Sequence, residues 1–136
     1  MGMDFLARRE HSEQELRRKL VARADDADEV EEVLRQLKEE RLLSDERFTE
    51  AYVHHRFSAG IGPIKIRYEL RQKGVEEGLA DAFLEPLADE WDDLMRRQRA
   101  RKYGATIPEG YSERMKQARF LQNRGFSPES VMRLCR

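Results

Sequence analysis

The chain has 136 residues, 39% of them charged and 39% hydrophobic, with a formal net charge of −1. That length suits one ordinary domain or a few small units sharing cores, and the near-cancellation of acids and bases excludes a histone-like binder held by bulk positive charge. The single cysteine, Cys135, excludes an internal disulfide and suits a packed last turn, no run reaches the roughly 20 apolar residues of a membrane span, and the opening MGMDFLARRE lacks a signal peptide's apolar stretch.

No segment reads as a strand. Apolar residues recur at helical spacing throughout, and stop signals fall where helices should stop. A short opening helix is expected from about Asp4 to Glu10. Ser12 then caps a second helix with Glu15 placed to complete a capping box, and Leu16 and Leu20 form its inward stripe. A third begins near Asp26 and carries Val30, Val33, Leu34 and Leu37, the i, i+3, i+4, i+7 pattern of one buried face.

Ser44 opens the next helix, with Phe48, Ala51, Tyr52 and His55 expected on one face and Gly60 at its end. Gly62-Pro63 starts another, since proline is tolerated at the first helical position. Ile66 and Leu70 lie one turn apart in it, and Gly74 closes it. A helix from about Glu76 turns Leu79, Ala82 and Phe83 inward until Pro86 breaks it. The longest helix is expected from Leu87 to Tyr103, with Leu87, Trp91, Leu94, Met95 and Gln98 inward and Gly104 at its end. ATIPEGY reads as the one real loop. Ser112 caps a helix with Met115, Ala118 and Leu121, closed by Gly125. Ser127-Pro128-Glu129 starts a last helix holding Val131, Met132 and Leu134.

This makes nine helices in three groups of three, with units expected at residues 1–43, 44–86 and 87–136. A short phrase recurs about every fifty residues: EQELRRKL around Leu16, RYELRQKGV around Leu70 and ARFLQNRGF around Leu121. A basic residue follows each leucine by three positions, namely Lys19, Lys73 and Arg124. Such a period indicates stacked copies of one unit. A unit of about 45 residues buries little by itself, so neighbours should lend each other core. The fold class is therefore all-α, an elongated and curved tandem of three three-helix repeats.

Little in the chain suits catalysis. His54 and His55 are adjacent, so on a helix they diverge by about 100°. No cysteine cluster or HExxH appears. GIGP at 60–63 lacks the lysine of a phosphate loop and follows a helix where a strand is required. No cofactor is expected.

Charge is banded. Val75 to Met95 holds eight acids and no Lys or Arg; Arg96 to Arg136 holds eleven basic residues and three acids; Arg56 to Lys73 holds five and one. Candidate contact residues are Arg8, Arg9, Arg17 and Arg18 in the first unit, Lys65, Arg67, Arg71 and Lys73 in the second, and Arg97, Arg101, Arg119 and Arg124 in the third. Arg67 and Arg71, four residues apart, should share an exposed face. Cations near helix ends also complement the helix dipole, which accounts for Lys73 and Arg124 better than for Arg8, Arg9 or Arg67. Two segments outline a helix-turn-helix, ELRQKGVEEGLADAF and FLQNRGFSPESVMRL. The would-be recognition helix of the first carries Glu76, Glu77 and Asp81, which phosphates would repel.

LARREHSEQELRRKL, LLSDERFTEAYVHHRFSAGIGPIKIRYELRQKGV, and ARKYG followed by ARFLQNRGFSPESVMRLC resemble, in order, the three units of the RecX family of RecA regulators. Against that resemblance the opening helix is expected to be shorter than the family norm. The resemblance implies a non-enzymatic regulator, mainly an inhibitor, that lodges in the groove of the RecA filament on single-stranded DNA. It would limit filament extension, ATP hydrolysis, strand exchange and co-protease activity, and so act in recombinational repair and the SOS response. A monomer is expected, with the RecA filament as partner, weak direct DNA binding beside it and no membrane partner; the lone cysteine and the opening without a signal peptide point to a cytoplasmic setting. The alternative is a general DNA-binding or architectural helical protein acting without RecA.

Overall fold

A computed structural model describes residues 2, 5, 6 and 9–135. Among these the chain is helical, with eight α-helices and no strand. They are α1 (Glu13–Val21), α2 (Ala27–Glu39), α3 (Asp45–Ser58), α4 (Pro63–Gln72), α5 (Glu77–Leu84), α6 (Trp91–Tyr103), α7 (Tyr111–Asn123) and α8 (Pro128–Cys135). The opening helix expected at 4–10 falls largely outside the described residues. Phe5 and Leu6 are helical, and Phe5 is buried.

Local chemistry explains most boundaries. The Ser12 hydroxyl accepts from the Glu15 amide at 3.1 Å, and the Glu15 carboxylate accepts from the Ser12 amide at 3.2 Å, completing the capping box. Asp26 and Ser44 cap α2 and α3 through their side chains, which satisfies amides that a helix start leaves without partners. Pro63 occupies the first position of α4. Ser127 accepts from the Ser130 amide at 3.1 Å to start α8.

Six expectations need correction, two of them simple: Ala82 of α5 and Met132 of α8, expected inward, are exposed, and Ala80, Leu84, Val131 and Cys135 are buried instead. Leu87 does not start the long helix. Pro86 sits in a 3-10 turn, Glu85–Leu87, and the helix proper begins at Trp91. Gly110, not Ser112, is the N-cap of α7. On α3 the buried side chains are Phe48, Thr49 and Val53, while Ala51 and His55 are exposed. Thr49 hides its hydroxyl by donating it to the Asp45 carbonyl at 2.7 Å, one turn back, so its polarity concealed a core position. Val33 of α2 likewise faces outward.

The core divides into three clusters. One gathers Phe5, Leu16, Leu20, Val30, Leu34, Leu37 and Leu43. The second runs from Phe48 through Ile66 and Leu70 to Leu84, and the third from Leu94 through Leu121 to Cys135. Each fully buried aliphatic chain contributes about 1.5–3 kcal/mol, so a cluster of seven or eight holds a unit only with help from its neighbours. The surface of 8773 Å² exceeds the roughly 7,400 Å² of a compact protein of this mass, as an elongated tandem requires.

Candidate functional site

The contacts between units repeat one geometry. At the first joint the Ser12 hydroxyl, N-cap of α1, donates to the carbonyl of Lys73, C-cap of α4, at 2.7 Å. At the second joint the Gly62 amide, N-cap of α4, donates to the carbonyl of Arg124, C-cap of α7, also at 2.7 Å. Each middle helix thus presents its first turn to the end of the next unit's middle helix. A donor at a helix start, the Ser12 hydroxyl at one joint and the Gly62 N–H at the other, meets a free carbonyl of a helix end, and the dipoles run head to tail.

This geometry corrects the alignment of the repeated phrase. Counted from the N-caps, Leu16 matches Ile66 and Leu20 matches Leu70; all four are buried. The first copy is therefore offset by one turn, and Lys19 is not the counterpart of Lys73 and Arg124. Lys19 instead places its ammonium 2.7 Å from His11 Nε2. His11 is fully buried, and its Nδ1 donates to the Arg9 carbonyl at 3.1 Å, which leaves Nε2 to accept from Lys19. Burial, the largest influence, lowers the His11 pKa, so the ring is neutral. Nothing in the helical periodicity marks His11 as a core residue.

The joints differ in their electrostatics. Glu15 stands at the centre of the first. It accepts from Lys73 at 3.0 Å and from Arg9 at 3.3 Å. Burial alone would raise its pKa, but the hydrogen bonds from Arg9, Lys73 and the Ser12 amide outweigh it and hold the carboxyl down to about 2. Asp45 accepts from the Glu13 amide at 2.7 Å, and Arg47 pairs with Glu10 at 3.0 Å. Lys73 also stands over the Tyr52 ring at 5.4 Å. Burial, reinforced by Glu69, pushes the Tyr52 phenol up to about 12, so it stays protonated.

At the second joint the position equivalent to Glu15, third in its helix, is Lys65. The Ile64 amide donates to the Gly125 carbonyl at 3.0 Å, and Arg124 Nη1 donates to the Ala59 carbonyl at 3.2 Å. A Cβ on Gly125 would fall 2.4 Å from Lys65 Cβ, and one on Gly62 would fall 2.5 Å from the Gly125 carbonyl carbon. The backbones are that close. Trp91 packs on both the second and third cores and meets Phe57 edge-on at 5.3 Å.

The candidate cations sort accordingly. Arg17 is tied to Glu13 and Glu31, Arg9 and Lys73 to Glu15, and Arg67 to Asp81 at 2.8 Å. The face expected for Arg67 and Arg71 is therefore only partly free, because α5 brings an acid against Arg67 while Arg71 stays exposed. Arg97 reaches only the Asp93 carbonyl, at 3.4 Å. Arg18, Lys65, Arg71, Arg101 and Arg119 have no carboxylate partner among the described residues, and Arg8 lies outside them. Two clefts open at the joints. One of about 530 Å³ is lined by Glu15, Arg18, Lys19, Tyr52, Tyr68 and Lys73, among others. The other, of about 490 Å³, is lined by Ala59, Gln98, Arg101, Lys102, Phe120 and Arg124.

One buried charge escaped the sequence reading. Arg99, 4% exposed, donates to Gln117 Oε1 at 3.1 Å and to the carbonyls of Ala105 and Thr106 at 3.0 and 3.4 Å. It pins the one long loop to the third core. Its position beside four other cations, in RRQRARK, disguised it as surface.

Among the described residues no group of three or more His, Cys, Asp or Glu is placed to hold a metal, and no helix is long and apolar enough to cross a membrane. Fold and joints together define a class: a tandem array of three-helix units whose working parts are charged faces and the clefts between units. Family models describe that class by name. The models for the first, second and third three-helix domains of RecX match residues 1–37, 44–84 and 88–134, and the chain belongs to the RecX family. It is 44% identical over 130 residues to the regulatory protein RecX of Halorhodospira halophila, covering 96% of this chain and 81% of that one. Against the regulatory protein RecX of Pseudomonas fluorescens strain SBW25 it is 42% identical over 133 residues, covering 98% and 86%. The crystal structure of RecX from Lactobacillus salivarius superimposes with a TM-score of 0.80 at 21% identity over 96% of this chain and 86% of that one, a likeness of fold.

Proposed function

We propose that this protein regulates RecA without catalysis, by lodging in the helical groove of the RecA filament on single-stranded DNA. There it limits filament extension, and with it ATP hydrolysis, strand exchange and co-protease activity. The observation that carries this reading is the pair of joints. Each docks a helix end onto a helix start through hydrogen bonds to a C-cap carbonyl, from the Ser12 hydroxyl at the first joint and from the Gly62 amide at the second, so three units form a continuous body with charged faces along its length. A body that touches two protomers makes its second contact intramolecular, and avidity rises without new chemistry. We take the units as 1–43, 44–86 and 87–136, and the protein as a cytoplasmic monomer. Arg18, Arg71, Arg101 and Arg119 are exposed cations suited to reach a partner, since no acid among the described residues holds them.

Cosedimentation tests this. The protein should pellet with RecA–DNA filaments far more strongly than with naked DNA at moderate salt, and should suppress DNA-dependent ATP hydrolysis in proportion. Equal retention on both, with a steep salt dependence, would favour a general DNA-binding protein acting without RecA.

A further inference from the structure

The two joints are built alike but charged differently. At the first, Glu15 pairs with Lys73 and Arg9 and Arg47 pairs with Glu10, and two carboxylates, Glu15 and Glu69, line the cleft beside Arg18, Lys19 and Lys73. At the second, Arg101, Lys102 and Arg124 line one cleft together with Gln98, Phe120 and Ala59, and no carboxylate is among them. Lys65 stands against Arg124–Gly125 where the first joint has its glutamate. Arg124 is held by a neutral carbonyl, Ala59, and by the Phe120 ring, 5.3 Å away. Lys102 stands over the same ring at 4.1 Å. These contacts fix the cations without neutralising them.

The geometry points to this second cleft as the place where the protein holds a DNA strand, through the phosphates of its backbone. Clustered like charges repel unless an anion sits among them, and holding them together on a folded surface with no acid costs stability that a ligand returns. An acidic protein surface is the weaker candidate. Protein interfaces centre on apolar or aromatic anchors, whereas the Phe120 ring is already occupied by two cations and by the edge of Tyr103 at 5.5 Å. Exposed ion pairs between proteins contribute about 0–1 kcal/mol each, but phosphate contacts also release condensed counterions. Arginine adds a planar fork that matches phosphate oxygens. With its ring unavailable for base stacking, the cleft should bind without regard to sequence.

This deepens the filament reading by saying which face meets DNA, and its test is separable from that reading. The probe is a fluorescent oligo-dT, titrated at several salt concentrations with wild type, with the double variant Arg101→Gln/Lys102→Gln, and with Arg35→Gln/Lys38→Gln. The last removes the same charge from α2, where both cations already pair with glutamates. The cleft variant should lower the slope of log K against log salt by about 1.4, at about 0.7 per lost phosphate contact on a single strand, while the α2 variant keeps the wild-type slope. Circular dichroism melts of all three should coincide. Equal slopes for the two double variants, or competition by polyglutamate as effective as by unlabelled oligo-dT, would overturn the assignment and leave filament binding to its own assay. Failure of wild type to pellet with RecA filaments would remove the filament reading, and the oligonucleotide slopes would still decide the cleft.

Discussion

The two joints share a main-chain geometry and differ in everything that side chains decide. In both, the C-cap carbonyl of one middle helix meets the N-cap residue of the preceding one. The first is then closed by ion pairs around Glu15, and among the described residues no hydrophobic one packs on both the first and second cores. The second is closed by backbone contact too tight for any side chain and by Trp91, which belongs to two cores. One joint therefore depends on protonation and salt, and the other on shape. The shape-locked joint has no use for acids, and so is free to carry unopposed cations.

The sharpest way to break this contrast is Gly125→Ala. Gly125 has φ of +98°, in the left-handed region that disfavours a side chain, and its Cβ would collide with Lys65. Overpacking and backbone strain together should cost about 2–4 kcal/mol. Because a repeat array is held by nearest-neighbour terms, the third unit should then melt separately from the other two. A single transition at the wild-type temperature would show that the second joint is not locked by backbone contact.

Glu15→Gln addresses the first joint. It removes the acceptor charge for Lys73 and Arg9 and should cost about 1.5–3 kcal/mol, the range for hydrogen bonds to charged groups, measured by denaturant unfolding. The pH profile gives a second reading. Glu15 has a folded pKa depressed to about 2, so its stabilisation is complete above the ordinary carboxylate pKa of about 4.3 and is lost as pH falls toward 2. His11, with its pKa lowered by burial, also favours unfolding by acid, beginning below its ordinary value of about 6.5. Asp45, raised mainly by burial, works in the opposite sense. Wild type should lose stability on acidification in two stages, and the lower one should shrink in the variant, where only the carboxyls held down by arginines on the surface, Glu31 and Glu32, remain to drive it. Identical profiles would take Glu15 out of the joint's energetics.

How much of this was legible beforehand depends on the kind of signal. Caps at Ser12, Asp26, Ser44 and Ser127, and stops at Gly60, Gly74, Gly104 and Gly125, act on the chain nearby, and the sequence displays them directly. The three-unit plan followed from periodicity. The corrected details all depend on residues distant in sequence. Ser12 looks like a cap and is also half of a joint with Lys73, 61 residues away. Arg67 looks exposed until α5 supplies Asp81. Arg99 looks like one more surface arginine until the loop carbonyls of Ala105 and Thr106 close on it. The repeated phrase was real, yet its first copy was misplaced by one turn, because ELRRK matches better by letters while Leu16 matches Ile66 by depth from the cap. The unopposed second joint came into view only with the proper alignment, which makes Lys65 the counterpart of Glu15.

The smallest expected effect is also the most discriminating. Lys65→Glu installs at the second joint the residue type that closes the first. In the first turn of α4 an acid favours the helix dipole by about 0.3–1 kcal/mol, and a partly exposed pair with Arg124 adds at most about 1 kcal/mol. Stability should therefore hold or rise slightly. Oligo-dT affinity should fall all the same, because the new carboxylate competes with phosphate for Arg124. A variant that is more stable and binds DNA less would separate cohesion of the joint from its use as an anion site. If affinity and salt slope stay at wild-type values, Lys65 and Arg124 take no part in holding the strand, and the cleft's charge rests on Arg101 and Lys102 alone.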